Sequence, residues 1–337
     1  MKKNTVLSIV AAVLFLIGLV LMLVVVPMLS DDGSVTTTAV ATTEPPTTVP
    51  PTTEPPTEPT TEAPTNPPAE TTPPRELNLT ASKAFVYNCT ADYMVYAGGD
   101  MDEKISPASL TKLLTGHVVL QHLNPATVIT VGEEITWIDP DSSWANLHQG
   151  NQLTVEMLIQ GLMMQSGNDA AYTLAVACGR TIRNDQNLNA RDALGVFMDE
   201  MNNEARLLGL SNTHYVNPDG IDAQGHYTSC NDLVTISKIV MENPLLMKYC
   251  GMATANVTFQ SGESYTWNNS NYLLHESMNC YTPEAIGLKT GSTYNAGKCL
   301  ISVFKQEDGT VLMVGVLGSS SDAERYNDTL ILYNRFK

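Results

Sequence analysis

The chain has 337 residues, which is enough for one long or two modest folded units. Its formal net charge is −17, and this acidic excess argues against nucleic acid as a partner, because a phosphate backbone requires a basic face. Its six cysteines include no C-x-x-C pair, which argues against zinc or dithiol redox chemistry, so we expect no metal and no cofactor.

The first predicted element is a membrane-spanning helix over residues 6–29. Its apolar part, residues 6–26, carries no charge and would span about 31 Å as a helix, the thickness of a bilayer's hydrocarbon. Lys2 and Lys3 precede it, so the positive-inside rule places residues 1–5 in the cytoplasm and everything after the helix outside. A cleaved signal peptide is the alternative, but its apolar run would be shorter and a small-x-small cleavage site should follow. We therefore expect an uncleaved, single-pass anchor.

Residues 30–75 are predicted to form a disordered linker. Thr, Pro and Glu dominate this segment, and almost no large apolar side chain is available to offset the entropy of ordering it. The prolines favour extended polyproline II, so we expect a semi-stiff stalk that holds the folded part, residues 76–337, away from the membrane. All six cysteines lie beyond the anchor, where disulfides are permitted, but the sequence reveals no pairing.

Strands are predicted at both ends of the folded part, with helices between them. Hydrophobic spacing and turn signals predict strands at 84–88, 93–96, 128–131, 298–305 and 310–317, and helices at 109–123, within 155–243 and at 322–336. This order predicts an α/β (α+β) fold in which one sheet is built from both chain ends, flanked by helices, with a helical subdomain inserted in the middle.

The segment Ser109-Leu-Thr-Lys112 places a hydroxyl and an amine three residues apart at a helix start. Residues i and i+3 share a helix face, so a lysine whose pKa is lowered by desolvation could take the serine proton. The helix N-terminus would offer backbone N–H groups to an oxyanion. A second S-x-x-K, from Ser302 to Lys305, lies in a predicted strand, where i and i+3 point to opposite faces. The sequence therefore favours Ser109 as the nucleophile.

Ser166-Gly-Asn168 is a second motif, placed in a short link between two predicted helices where both side chains could face a cleft. S-x-N also occurs at 229–231 and 277–279, so the motif alone is weak. Its position between helices and its order after the first motif favour Ser166 and Asn168.

Lys289-Thr290-Gly291 is the third motif and follows a predicted strand at 286–288. The lysine and the threonine hydroxyl could hold a substrate carboxylate, and Gly291 would let a substrate backbone approach closely. Taken alone, each motif is better explained by an ordinary surface serine or lysine. Their order and local contexts together favour one active site.

In these motifs the chain resembles the serine penicillin-binding proteins and β-lactamases, which share S-x-x-K, S-x-N and K-T-G. Within that group it is most similar to the low-molecular-mass D-alanyl-D-alanine carboxypeptidases, over roughly residues 77–336. The segments N-P-D-G-I-D at 217–222, H-Y-T-S at 226–229 and G-L-K-T-G-S-T at 287–293 support the resemblance. It implies a β-lactamase/penicillin-binding-protein-like fold with an antiparallel sheet.

The resemblance also implies a role for each motif residue. Ser109 would attack the carbonyl between two terminal D-alanines of a peptidoglycan stem peptide, Lys112 would act as its base, and Ser166 would relay a proton to the leaving amine. The backbone N–H groups of Ser109 and Ser292 would form the oxyanion hole, and β-lactam antibiotics would bind Ser109 covalently. The substrate-binding residues would be Asn168, Lys289, Thr290, Gly291 and Ser292.

Other functions stay open. A β-lactamase of one class needs a glutamate in E-x-x-L-N, whereas the nearest string, residues 185–189, begins with aspartate. An endopeptidase or transpeptidase would share the same chemistry, and a non-enzymatic wall-binding surface protein would not need the motif residues. Too little chain follows Gly291 for the second β domain and C-terminal anchor of many relatives, so we expect the N-terminal helix to hold the protein at the bacterial cell membrane.

Overall fold

The computed structural model describes residues 77–337. The predicted cytoplasmic segment at 1–5, the anchor helix at 6–29 and the linker at 30–75 lie outside the described residues. No helix within the described part is both long and apolar enough to cross a bilayer. Its six cysteines carry free thiols.

Nine strands and seven α-helices make up residues 77–337. The strands are β1 (Lys83–Asn88), β2 (Tyr93–Gly98), β3 (Val128–Thr130), β4 (Gln152–Thr154), β5 (Thr254–Thr258), β6 (Ser264–Asn268), β7 (Ala285–Thr293), β8 (Gly297–Lys305) and β9 (Val311–Ser319). The helices are α1 (Thr111–His122), α2 (Val155–Met164), α3 (Asn168–Arg183), α4 (Ala190–Leu207), α5 (Cys230–Glu242), α6 (Pro244–Cys250) and α7 (Asp322–Phe336).

A five-stranded antiparallel sheet in the order β2-β1-β9-β8-β7 joins the two ends of this domain, as predicted. Its two faces belong to different cores. Val86 and Val314 pack in one core with Tyr333 of α7, while Phe85 and Met313 belong to the core shared with the helical part. Successive strand residues point to opposite faces, so burial of both faces explains the continuous apolar runs in these strands.

The helical part lies between β2 and β7 in the chain, and its helices α2 to α5 fall within the predicted subdomain. Helix α1 passes through this core and is buried on nearly all sides, which is typical of a central helix. The short strands β3 and β4 pair with each other, and β5 and β6 form a separate hairpin. The strands and helices that carry the three motifs thus meet where the sheet packs against the helical part.

Several predicted elements differ in extent from the structure, and two of these differences concern the motifs. The helix predicted at 109–123 begins as a 3-10 helix, Ala108–Leu110, before α1 starts. Ala108 has a φ of +50°, which is incompatible with a helix that begins further upstream. The strand predicted at 286–288 continues through Gly291 in β7, so the third motif lies within the strand and not after it.

Candidate active site

Ser109 lies in the 3-10 helix that leads directly into α1. Lys112 follows in the first turn of α1, and its Nζ lies 2.8 Å from Ser109 Oγ. The preceding Ala108 is in the left-handed region, a conformation that costs about 1–3 kcal/mol and that the surrounding structure must hold. Local strain of this kind is common where a nucleophile must be presented in one orientation.

The Lys112 side chain is fully buried, and polar atoms surround its amine. Besides Ser109, the amine contacts Asn168 Oδ1 at 2.7 Å and the backbone carbonyl of Asp219 at 2.6 Å. Burial lowers the pKa of Lys112 to about 8, while the carboxylates of Asp219 and Asp169 act in the opposite direction. A neutral amine here could donate to Asn168 and Asp219 and accept the hydroxyl proton of Ser109.

Ser166 occupies the link between α2 and α3 and has a φ of +56°. Lys289 Nζ from β7 donates to Ser166 Oγ at 2.9 Å and to the Thr290 carbonyl at 3.0 Å. Because Asn168 contacts the other lysine, both buried amines meet at the S-x-N motif. Burial, together with the neighbouring charge of Lys112, lowers the pKa of Lys289 well below its usual value.

Strand β7 is an edge strand of the sheet and carries the other predicted binding residues, Lys289 to Ser292. A Cβ added at Gly291 would lie 3.2 Å from the backbone nitrogen of Ser109, so glycine permits the close approach of β7 to the nucleophile. Thr290 Oγ1 lies 2.6 Å from Ser270 Oγ, so the two hydroxyls form a hydrogen bond. An outer strand also offers backbone groups to which a peptide could pair as an added strand.

A cleft of about 370 Å³ opens over these residues. Ser109, Asn168 and Ser292 line it, whereas Lys112 and Lys289 lie beneath its surface with 0% and 1% exposure. The other lining residues come from three segments outside the motifs: Asp139, Asp141, Ser142, Ser143, Gly220, Ile221, Asp222, Thr293 and Tyr294. The cleft therefore combines a rim containing three aspartates with two buried lysines.

Of the three S-x-N strings, Ser166-Gly-Asn168 lies in the site, and the strings at 229–231 and 277–279 do not contribute to it. Ser229 is the N-cap of α5, where its hydroxyl accepts the backbone N–H of Asp232. Ser277 and Asn279 are exposed in a turn. Similarly, Ser302 is buried in β8 while Lys305 is exposed, so the second S-x-x-K does not form a pair.

Sequence reasoning missed several groups that hold the nucleophile. The carbonyl of Asp219 contacts Lys112, and Thr111 Oγ1 lies 2.9 Å from Nε2 of His226. His226 is buried, which lowers its pKa to about 4, and its Nδ1 accepts the N–H of Val216. The N-P-D-G turn signal and the H-Y-T-S string marked these segments, but a carbonyl contact leaves no trace in residue type.

Gly220 is expected to be indispensable for the position of Ser109. It has a φ of +95°, and a Cβ there would overlap the Ala108 carbonyl oxygen and lie 3.0 Å from the nitrogen of Ser109. We expect Gly220→Ala to lower the free energy of unfolding by about 2–4 kcal/mol and to slow acylation of Ser109. Urea denaturation and a covalent acylating probe measure the two effects.

Gly262→Ala is the matched control, because Gly262 has a φ of +107° but no atom within 4 Å of an added Cβ. It should show only the backbone cost, about 1 kcal/mol, with unchanged acylation. Equal effects of the two substitutions on acylation would contradict the role of Gly220.

A hydroxyl within hydrogen-bond reach of a buried amine is the arrangement needed for nucleophilic catalysis. The second hydroxyl and amine, on Ser166 and Lys289, lie next to the first pair and could move a proton or bind an anion. Ser109, before α1, and Ser292, on β7, are the residues predicted to supply the oxyanion N–H groups, and both line the cleft. The site thus has the groups required for acyl transfer.

Solved structures define the class of protein. Over 77% of this chain, a crystal structure of the Streptomyces K15 DD-transpeptidase matches at a TM-score of 0.69 with 29% identity, across 97% of its own length. Penicillin-binding protein D2 from Listeria monocytogenes, in its ampicillin-bound form, matches at a TM-score of 0.61 with 26% identity over 77% of this chain and 98% of its own. The fold is that of the penicillin-binding serine enzymes.

The family follows from the sequence comparison. The D-alanyl-D-alanine carboxypeptidase family, peptidase S11, matches residues 69–321, and the chain belongs to this family. The D-alanyl-D-alanine carboxypeptidase DacC of Escherichia coli K12 is 30% identical over 263 residues, or 74% of this chain. The chain spans only 59% of the length of that relative.

Proposed function

We propose that the domain is a serine D-alanyl-D-alanine carboxypeptidase that removes the terminal D-alanine from peptidoglycan stem pentapeptides. The contact of 2.8 Å between Ser109 Oγ and the buried amine of Lys112 carries this proposal, because it pairs a nucleophile with a base inside the cleft. Membership of the D-alanyl-D-alanine carboxypeptidase family supports the substrate class.

Acylation would proceed in two steps. Ser109 Oγ forms a bond to the carbonyl carbon between the two D-alanines, its proton passes to Lys112, and the carbonyl oxygen becomes an oxyanion held by the N–H groups of Ser109 and Ser292. The C–N bond then breaks as the carbonyl re-forms, and the proton on Lys112 is relayed through the Ser166 hydroxyl to the departing amine, which leaves Lys112 neutral and Ser166 protonated. Free D-alanine leaves, and the peptide remains as an ester on Ser109.

Deacylation would reverse the roles of the same groups. A water molecule gives its proton to Lys112 and attacks the ester carbon, the bond to Ser109 Oγ breaks, and the serine regains its proton. The shortened peptide then leaves with a new carboxylate. Hydrolysis thus needs no group beyond those that carry acylation.

The terminal carboxylate of the substrate would bind at Lys289 and Thr290. Burial and the charge of Lys112 disfavour the charged form of Lys289, and within residues 77–337 no carboxylate forms an ion pair with this amine. A bound carboxylate supplies a counter-charge and favours the ammonium, which makes recognition specific for an anion. The same contact would accept the carboxylate of a β-lactam, which we propose acylates Ser109 covalently.

Release of D-alanine by the purified chain tests the proposed function. The substrate is a synthetic pentapeptide ending in D-Ala-D-Ala, and the matched control ends in D-Ala-L-Ala. We expect release of the C-terminal alanine, scored as total alanine of either configuration, only from the first, together with covalent labelling by a fluorescent penicillin and slow hydrolysis of nitrocefin. Rapid turnover of nitrocefin would identify a β-lactamase instead.

A transpeptidase is the second candidate, favoured by the similarity to the Streptomyces K15 DD-transpeptidase. It uses the same acyl-enzyme but transfers the peptide to an amine. Adding a free amino acid as acceptor to the pentapeptide assay distinguishes the two activities. A transfer product without hydrolysis, with penicillin labelling intact, would rule out the carboxypeptidase.

The membrane anchor and the extracytoplasmic location remain proposals. They rest on the uncharged run at residues 6–26 and on the two lysines that precede it. A domain that acts on the stem peptides of a cell wall has to lie on that side of the membrane, so the proposed location and the proposed substrate are consistent with each other.

A further inference from the structure

We infer that Asp169 is a positioning residue that joins the cleft wall within residues 139–143 to the S-x-N motif and holds a negative charge near Lys112. It follows Asn168 directly in α3, yet its side chain has 0% exposure and takes no part in the steps described above. The inference rests on the proposed function, because the wall and the lysine matter through acylation of Ser109.

The Asp169 carboxylate is satisfied entirely by backbone N–H groups. Ala145 N–H donates to both oxygens, at 2.9 and 3.0 Å, Leu147 N–H donates to Oδ2 at 2.9 Å, and Ala170 N–H donates to Oδ1 at 2.8 Å. Every partner is a donor, so this arrangement requires the ionised form of the side chain. Charge-assisted bonds of this kind are about twice as strong as neutral ones.

These bonds fix a segment that has no regular structure of its own. Four residues within 139–143 line the cleft, and the chain reaches Ala145 and Leu147, the two residues held by Asp169, within four residues of Ser143. The wall is joined to the motif a second time, because Asn168 N–H donates to the Ser143 carbonyl at 2.8 Å. Removal of the carboxylate would leave buried N–H groups without acceptors and release the wall.

Burial of Asp169 is unfavourable for the fold. Desolvation raises the pKa of this carboxyl above its usual value, so its ionisation is harder in the folded protein than in water. An apolar side chain of similar size would avoid that cost but would leave the N–H groups of Ala145 and Leu147 without acceptors. Besides satisfying these groups, an ionised side chain at this position brings a gain in the active site.

One part of this gain is the electrostatic effect of the Asp169 charge on the pKa of Lys112. Its amine interacts electrostatically with four charged or titratable groups: Asp169 from α3, Asp219 from the N-P-D-G turn, Lys289 from β7 and His226 from the adjoining loop. The two carboxylates favour the ammonium, Lys289 opposes it, and His226 is neutral at ordinary pH because burial lowers its pKa to about 4. Removal of Asp169 therefore lowers the pKa of Lys112 further.

Asp328 in α7 is a matched control. It also has 0% exposure, and its carboxylate also accepts four hydrogen bonds, from the N–H and hydroxyl of Thr80, the N–H of Ala81 and the hydroxyl of Ser319. It lies in the helix that packs with the apolar core on the other face of the sheet. A general effect of losing a buried carboxylate should appear equally at both positions.

The test compares Asp169→Asn with Asp328→Asn in the full chain. Single-turnover acylation by fluorescent penicillin is followed from pH 5 to 10; its amplitude counts folded sites, and its rate reports their function. The acylation rate should rise with pH as Lys112 loses its proton, and we call this rise the rising limb of the pH–rate profile. We expect Asp169→Asn to acylate about 10- to 100-fold more slowly and its rising limb to lie at lower pH than in the wild type. Asp328→Asn should acylate at a rate within about twofold of wild type, with its rising limb at the wild-type pH, even if its free energy of unfolding is lower.

Asp169→Glu covers the case in which Asp169→Asn does not fold. It keeps the charge but displaces the carboxylate by one methylene, so we expect slow acylation with the wild-type limb. Wild-type rate and limb in either Asp169 variant, or equal slowing by Asp328→Asn, would overturn the inference. A wild-type chain that neither labels with penicillin nor releases D-alanine would instead overturn the proposed function, and the inference with it.

Discussion

Replacing Ser109 with alanine is expected to abolish covalent labelling by a fluorescent penicillin and to lower D-alanine release by about 10⁴-fold or more. Only the Oγ atom is lost, so no ester can form, while the backbone N–H that would serve the oxyanion remains. The residual rate reports what substrate binding and oxyanion stabilisation achieve without a nucleophile. Mass spectrometry of the intact chain with penicillin measures the adduct directly.

Ser302→Ala is the matched control for this prediction. Ser302 begins the other S-x-x-K string, has 0% exposure, and its Oγ has no hydrogen-bond partner within the described residues. Its loss should leave labelling unchanged and cost little stability, because no bond is broken. Labelling that survives Ser109→Ala would show that another residue is the nucleophile, whereas a wild-type chain that is not labelled at all would leave the wall-binding alternative open.

The sheet was predictable because its strands carry their own signals. The β8 and β9 sequences are mostly apolar and are separated by the turn at 306–310, and both faces of these two strands are largely buried. The helix α7 was predicted with the bounds the structure shows, since Ser321 caps it and acidic residues fill its first turn. Hydrophobic patterning and capping rules are therefore sufficient to predict an element whose bounds are set by its own residues.

The candidate site was predictable only in part. Residue types marked Ser109, Lys112 and Lys289, but their convergence depends on β7 lying next to the 3-10 helix that carries Ser109, which is a long-range packing relation. The carbonyl of Asp219 could not be identified, because every residue has a carbonyl. Asp169 in the first turn of α3 resembles an ordinary charge at a helix start, and only its burial distinguishes it.

Replacing Lys112 with methionine is expected to slow acylation by about 10²- to 10⁴-fold, the usual contribution of a positioned general base. Methionine fills a similar volume, so the fully buried site keeps its packing but loses the proton acceptor. The base acts in its neutral form, so the wild-type rate should rise with pH through a midpoint near the Lys112 pKa of about 8. That limb should disappear in the variant, as measured by single-turnover acylation across pH.

Lys305→Met is the control, because this lysine ends the other S-x-x-K string and is exposed at the end of β8. It should leave both the rate and the limb unchanged. Lys289 is the competing base, since its amine is also buried with a lowered pKa and also contacts a serine hydroxyl. A limb that persists in Lys112→Met but vanishes in Lys289→Met would transfer the role of base to Lys289, leaving Lys112 to hold Asn168 and the turn at Asp219.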